Sequence, residues 1–287
     1  MAGSAGAGSL SGPKTPQNVC ARWNADRADM NEGTWSGDLQ SCTIGDISAN
    51  GRANALRLFN LYRWLADLPP VVTEASRDRQ AQACALLQHA NWRASGLSHS
   101  PPMSWTCWTQ DGASGAMSSN ISGGPGVSSV DAYMLDSGNE ANMGHRRIVL
   151  SNNLGPIGLG STGPGGASCM QNLRGTGNAD KPWLAWPPPG AFPIQAYNPR
   201  GRSTLGQTGW SIQSEDIELT TATVTVTSNG MNLAVDVARL DGSYGGGNAL
   251  RIRPNGWDAM AGQTYAVTVS GVTPAISYEI QVVDCAN

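Results

Sequence analysis

From Ser128 to Thr162 the chain reads SSVDAYMLDSGNEANMGHRRIVLSNNLGPIGLGST, and this stretch sets the expectations for the rest. Val130, Tyr133 and Met134 recur at helical spacing, which predicts a short helix over 129–137 with Asp136 in its last turn. GHRRIVL, residues 144–150, reads as a second short helix that opens with His145. GPIGLGST, residues 155–162, reads as a buried strand entered through Gly155 and Pro156, with Gly158 and Gly160 leaving room for another backbone to come close. An acid and a histidine thus stand beside glycine-rich strand material. A single histidine of this kind is more often structural than catalytic, and these residues alone do not change that balance.

Outward from this stretch, Asn50 to Leu68 predicts a helix with Ala55, Leu58, Phe59, Tyr62 and Leu65 on one face and Pro69-Pro70 as the stop. Thr73 reads as the N-cap of a second helix, with Glu74 in its first turn; it runs through Ala83, Leu86, Leu87 and Ala90 to about Ser95, and Gly96 ends it. His99 follows in the loop LSHSPP, where the plain expectation is a bond to backbone, and His89 inside the helix reads as packed or solvent-facing. Residues 101–126 are turn-rich, and Trp105 and Trp108 there are either core or a platform for a sugar or a lipid.

With 287 residues, 40% apolar composition, 14% charged residues and a net charge of -3, the chain is globular and lacks the basic surface that phosphate binding requires. Nucleic acid is therefore excluded as an expected partner. The six cysteines, at 20, 42, 84, 107, 169 and 285, show no CxxC and no zinc-finger spacing, so disulfides and an oxidising compartment are expected. Sequence does not choose among the fifteen pairings. Neighbour pairing (20 with 42, 84 with 107, 169 with 285) is the simplest, and a bridge between Cys84 and Cys107 would tie the loop of His99 to the helix before it. No apolar run approaches the roughly 20 residues of a membrane span.

These features divide the chain into a flexible linker or tag remnant over 1–17, a disulfide-stapled lead-in over 18–50, a helical and strand-bearing domain over 51–180, a Trp/Pro-rich connector over 181–214 and a β module over 215–287. MAGSAGAGSLSG has neither the basic nor the apolar region of a signal peptide, and reads as a linker in front of a mature secreted chain. The module is expected from strict alternation in ATVTVTS, NLAVDVARL, ALRIRP, TYAVTVSGV and SYEIQVVDC, broken by glycine turns. It resembles the immunoglobulin-like or fibronectin type III-like modules of bacterial secreted proteins. Its expected role is that of a spacer, with Cys285 reaching back to Cys169.

Taken together, the NALRLFNLYRWLADLPPV helix, the helix ending in LSHS, the SSNI turn, the helix ending in LDS, GHRRIVL and GPIGLGST resemble the CAP superfamily, named for cysteine-rich secretory proteins, antigen 5 and pathogenesis-related 1 proteins. The fold class expected is α+β, a CAP-type α/β/α sandwich followed by a small all-β sandwich. The resemblance implies a cleft in which two His and two Glu hold zinc. Here His99 and His145 match the two histidines, Ser119 stands where the first Glu belongs and Asp136 where the second does, three residues after Tyr133.

His99, His145 and Asp136 are thus the expected metal ligands, with Zn as the implied cofactor. Asn120 and Tyr133 complete the expected ligand cleft. Three functions follow. The leading one is a secreted or cell-surface protein binding an extracellular lipid, glycan or protein in that cleft; the others are an extracellular hydrolase, metal-assisted or using Ser119, His145 and Asp136 as a triad, and an adhesive surface protein with a vestigial site.

Overall fold

The computed structural model describes residues 14–173, 175–201, 203–242 and 244–286; most of the expected linker, residues 1–13, lies outside them. The chain is α+β. Its first half runs α1 (Pro16–Asp26), α2 (Ala49–Leu65), α3 (Ala75–Ser95), α4 (Gln110–Met117), β1 (Ser119–Ser122), α5 (Gly126–Leu135), α6 (Gly144–Val149), β2 (Gly158–Ser161) and β3 (Ser168–Gln171). The second half runs β4 (Leu184–Trp186), β5 (Gly190–Pro193), α7 (Ile194–Tyr197), α8 (Leu205–Thr208), β6 (Trp210–Ser214), β7 (Thr223–Ser228), β8 (Met231–Leu233), β9 (Val235–Leu240), β10 (Asn248–Pro254), β11 (Thr264–Ser270) and β12 (Ile276–Val283).

The three antiparallel strands β1, β3 and β2, in that order, form a small sheet between helices. Alternation of side chains assigns its two faces. Leu159 and its partner Met170 join the apolar core built with α2 and α5, whereas Cys169 and Ile121 pack with Ala81, Cys84 and Ala116 of α3 and α4. The glycines of β2 explain the close approach of α3: a Cβ on Gly160 would lie 2.2 Å from the Ala81 backbone, and one on Gly158 2.3 Å from that of Arg77.

Several local expectations are corrected. The second helix starts at Ala75 with Glu74 at its N-cap position, because Thr73 is used in a parallel bridge to Ile157. Gly96 does end it, at φ 78°. Ser119 to Ile121 of SSNI lie in the strand β1 rather than a turn, and the turn-rich region holds α4, whose N-cap Thr109 accepts from the Gly112 N–H and whose C-cap is Ser118. The lead-in donates α1, whose Val19 and Trp23 enter the main core, and Glu32, whose carboxylate accepts from the Val127 and Ser128 N–H groups at 2.6 and 2.8 Å. That carboxylate satisfies orphan donors at the N-terminus of α5, which has no side-chain cap of its own.

The connector expected over 181–214 is not a connector: it supplies β4, β5 and β6. Strands β4, β6, β10 and β9 form one sheet, and β5, β12, β11, β7 and β8 another; every pair is antiparallel except β5 with β12. NLAVDVARL, read as one strand, is two. The chain crosses between the sheets at Ala234, whose carbonyl accepts from Trp257 Nε1 at 2.6 Å and Asn255 N at 3.0 Å. The sheets meet where Trp210 and Tyr265 stack edge to face, 5.9 Å apart, and Trp186 carries the same core on to Tyr62 of α2 at 5.5 Å. One apolar cluster therefore runs through both halves.

All six cysteines are bonded, but not to their neighbours: the pairs are Cys20–Cys285, Cys42–Cys107 and Cys84–Cys169. Neighbour pairing fails because α3 lies on β3, which brings Cys84 to Cys169, and because α1 packs beside β5 and β12, which brings Cys20 to the end of the chain. Among the described residues no helix is long and apolar enough to cross a membrane.

Replacing Gly160 with Ala forces α3 off the sheet, so the variant is expected to lose about 3 kcal/mol or more of stability in urea unfolding. An unchanged midpoint would show that the contact of Gly160 with α3 is not tight.

Candidate functional site

Asp136 follows α5 as its C-cap, in the left-handed region at φ 55°, rather than sitting in the last turn of the helix. The short polar side chain of aspartate tolerates this conformation. From there Oδ1 accepts from His145 Nδ1 at 2.7 Å and from Asn139 Nδ2 at 3.1 Å, and Oδ2 accepts from the Arg146 N–H at 3.1 Å. Asp136 is 2% exposed, while the side chain of His145 retains 26%. A carboxylate at Nδ1 places the proton there and leaves Nε2 as the outward nitrogen. Tyr133 stacks on the imidazole at 5.1 Å and 30°.

Asn120 ties this pair to the small sheet: its Nδ2 donates to the His145 carbonyl, and its own carbonyl accepts from the Tyr133 hydroxyl, both at 3.1 Å. Burial, with Asp136 nearby, holds the Tyr133 phenol well above its usual range, so it remains a neutral donor. Of the expected residues, Asp136, His145, Tyr133 and Asn120 are therefore assembled in one place.

His99 and Ser119 are not part of that assembly. His99 is exposed, and its Nδ1 donates to the Ala116 carbonyl of α4 at 2.9 Å. Ser119 is 1% exposed, its Oγ has no hydrogen-bond partner, and strand alternation puts it on the α3–α4 face with its register partner Gln171. A buried hydroxyl unconnected to the imidazole does not make the triad expected from Ser119, His145 and Asp136. Among the described residues no group of three or more His, Cys, Asp and Glu side chains is placed to hold a metal ion. The described side chains therefore do not assemble the implied zinc site.

Sequence reasoning passed over what surrounds α6. Arg146 is fully buried; its guanidinium donates to the carbonyls of Met134, Leu135 and Gly209 at 2.7, 2.9 and 2.8 Å. Arg147 donates to the carbonyls of Asn142 and Gly246 at 3.0 and 2.8 Å and, more closely, to that of Asp241. Burial pulls both guanidinium groups down to about 10, still charged at neutral pH. Gly144 lies against the Tyr244 ring, where a Cβ would come within 2.9 Å, and Gly245 abuts the Arg147 carbonyl. The helix carrying His145 is thus clasped by Asp241, Tyr244, Gly245 and Gly246 of the β half. GHRR showed two arginines, but nothing in it showed that both would be buried.

The third histidine, His89, is half-buried beside Trp35 at 6.1 Å, with no partner for Nδ1. Burial and then Arg93 lower its pKa. The unfolded chain therefore binds the proton first as pH falls through about 6.5. Stability from this group rises with pH below that value, and His89→Gln is expected to shrink the loss of unfolding free energy between about pH 7 and about pH 5. An identical loss in both proteins would remove His89 from the acid response. At the candidate site, Asp136→Asn keeps the left-handed backbone but exchanges an acceptor for a donor facing donors, and is expected to cost about 1–3 kcal/mol in chemical unfolding.

Compared with known proteins, the chain matches no family model, no curated protein and no solved structure.

Proposed function

We propose that the protein is a secreted binding protein of CAP type that engages an extracellular ligand at the polar site around Asp136 and His145. One observation carries this reading. The imidazole is oriented by Asp136, stacked on Tyr133 and partly exposed, and among the described residues no hydroxyl is hydrogen-bonded to it as a nucleophile would be. Such a ring is suited to holding a polar group of a ligand by a directed hydrogen bond.

The CAP reading is supported by the order of elements and by a three-stranded antiparallel sheet with α3 and α4 on one face and α2 and α5 on the other. The immunoglobulin-like or fibronectin-like reading of the second half is supported by two facing sheets joined by a strand that changes sheet. Secretion is supported by three disulfides with no free cysteine among the described residues. A hydrolase using Ser119 has less support, given that residue's burial, and a metal-assisted one would need His99 to move from Ala116 to the side of α5 and α6.

Arrays of extracellular glycans, lipids and proteins, probed with the full chain, test the reading. Binding is expected to fall about tenfold or more in His145→Ala and to persist in His99→Ala and Ser119→Ala. Binding that survives His145→Ala overturns the reading. Uptake of close to one zinc per chain, lost in both histidine variants, would establish the metal-assisted alternative instead.

A further inference from the structure

Two open clefts flank the end of β3. One, of about 660 Å³, lies at the seam between the halves and is lined by Ile148 of α6, Leu154, Asn172, Glu215 and the backbone of 245–247. The other, of about 420 Å³, lies over α3 and is lined by Glu74, Arg77, Gln80 and Gln171. Met117 and Leu173 line both, so the two are one groove with Met117, 57% exposed, as its ridge. Both volumes fall in the range of ligand sites. Ile148 stands one helical turn after His145, so α6 links the seam cleft to the Asp136–His145 pair.

Two residues that line the groove each carry a buried side-chain atom that the fold leaves without a partner. Asn172, 2% exposed, accepts at Oδ1 from the Asn120 N–H at 3.1 Å, which fixes the amide's orientation, and its Nδ2 has no partner. Gln171, 5% exposed, donates from Nε2 to Gln80 Oε1 and Ser118 Oγ at 2.7 and 3.0 Å, and its Oε1 has no partner. Buried polar groups in folded proteins are nearly always satisfied, so two orphans on consecutive residues, one lining each cleft, point to a ligand that satisfies them.

We propose that this groove binds an extended peptide segment, a conclusion that rests on the ligand-binding reading above and names its ligand class. A polypeptide presents carbonyl acceptors and N–H donors in alternation, which matches Asn172 Nδ2 and Gln171 Oε1 in turn. Met117, Ile148, Leu154 and Leu173 offer aliphatic surface to its side chains. Among the described residues no aromatic ring lines either cleft, so they offer no stacking platform of the kind on which sugar rings are usually held.

The test uses the full chain on an array of blocked, random-sequence peptides, beside the glycan and lipid arrays. Asn172→Asp keeps the oxygen that accepts from Asn120 and removes the donor. Met117→Lys changes only an exposed ridge. Peptide binding is expected to fall about tenfold in each; the unfolding midpoint stays close to that of the unaltered protein in Met117→Lys and falls in Asn172→Asp, whose new carboxylate is buried. Peptide binding indifferent to both substitutions overturns the groove. No peptide binding overturns the inference altogether: if glycans or lipids are then bound, the reading as a binding protein survives, and if nothing is bound, both fall.

Discussion

The burial of two adjacent guanidinium groups, Arg146 and Arg147, is the constraint on which the arrangement of this protein depends. Taking a cation out of water costs several kcal/mol unless nearly all of its donors find acceptors. Here backbone carbonyls supply most of them. Arg146 takes those of Met134 and Leu135 at the end of α5 and that of Gly209 just before β6, while Arg147 takes those of Asn142, Asp241 and Gly246. Because the acceptors come from both halves, neither half can move without stranding a charge.

The same contacts set the site. By occupying the last carbonyls of α5, Arg146 acts as that helix's C-terminal cation. The chain then turns through the left-handed Asp136, whose carboxylate receives the Arg146 N–H and the His145 ring. The β half, expected to be a spacer, is a wall of the site's support. Midway along α5, Asp131 accepts a bidentate pair from Arg27 at 2.8 and 2.9 Å and the Tyr62 hydroxyl at 2.6 Å. Burial opposes the charge on Arg27, but the bond to Asp131 prevails and raises its pKa. α5 is thereby held at its start by Glu32, along its length by Asp131 and at its end by Arg146.

The candidate site was half legible. GHRR and the acid read in the last turn of the amphipathic helix marked His145 and Asp136 through local spacing, and those two, with Tyr133 and Asn120, do meet. His99 and Ser119 were placed with them by family position alone, and the structure instead uses the first on a helix carbonyl and buries the second. Asn172 had no signal, since an asparagine after a short strand is ordinary until its neighbours have taken one end of the amide and left the other. Neither a register between strands nor the acceptor set of a buried arginine is written in local spacing.

By itself, the sequence determined which stretches would be helix or strand wherever apolar residues recur with a clear period, as in α2, α3 and β10 to β12, and where backbones would come close, at Gly158 and Gly160. It determined as well that the cysteines would be spent on bridges. Tertiary structure alone decided which cysteines pair, that residues 181–214 belong to the two larger sheets, and that the His145 helix is wedged between the halves. Periodicity is a property of neighbours along the chain, whereas each of these outcomes depends on groups far apart in sequence, such as Cys20 and Cys285 or Arg147 and Gly246, being the ones that folding brings within bonding distance.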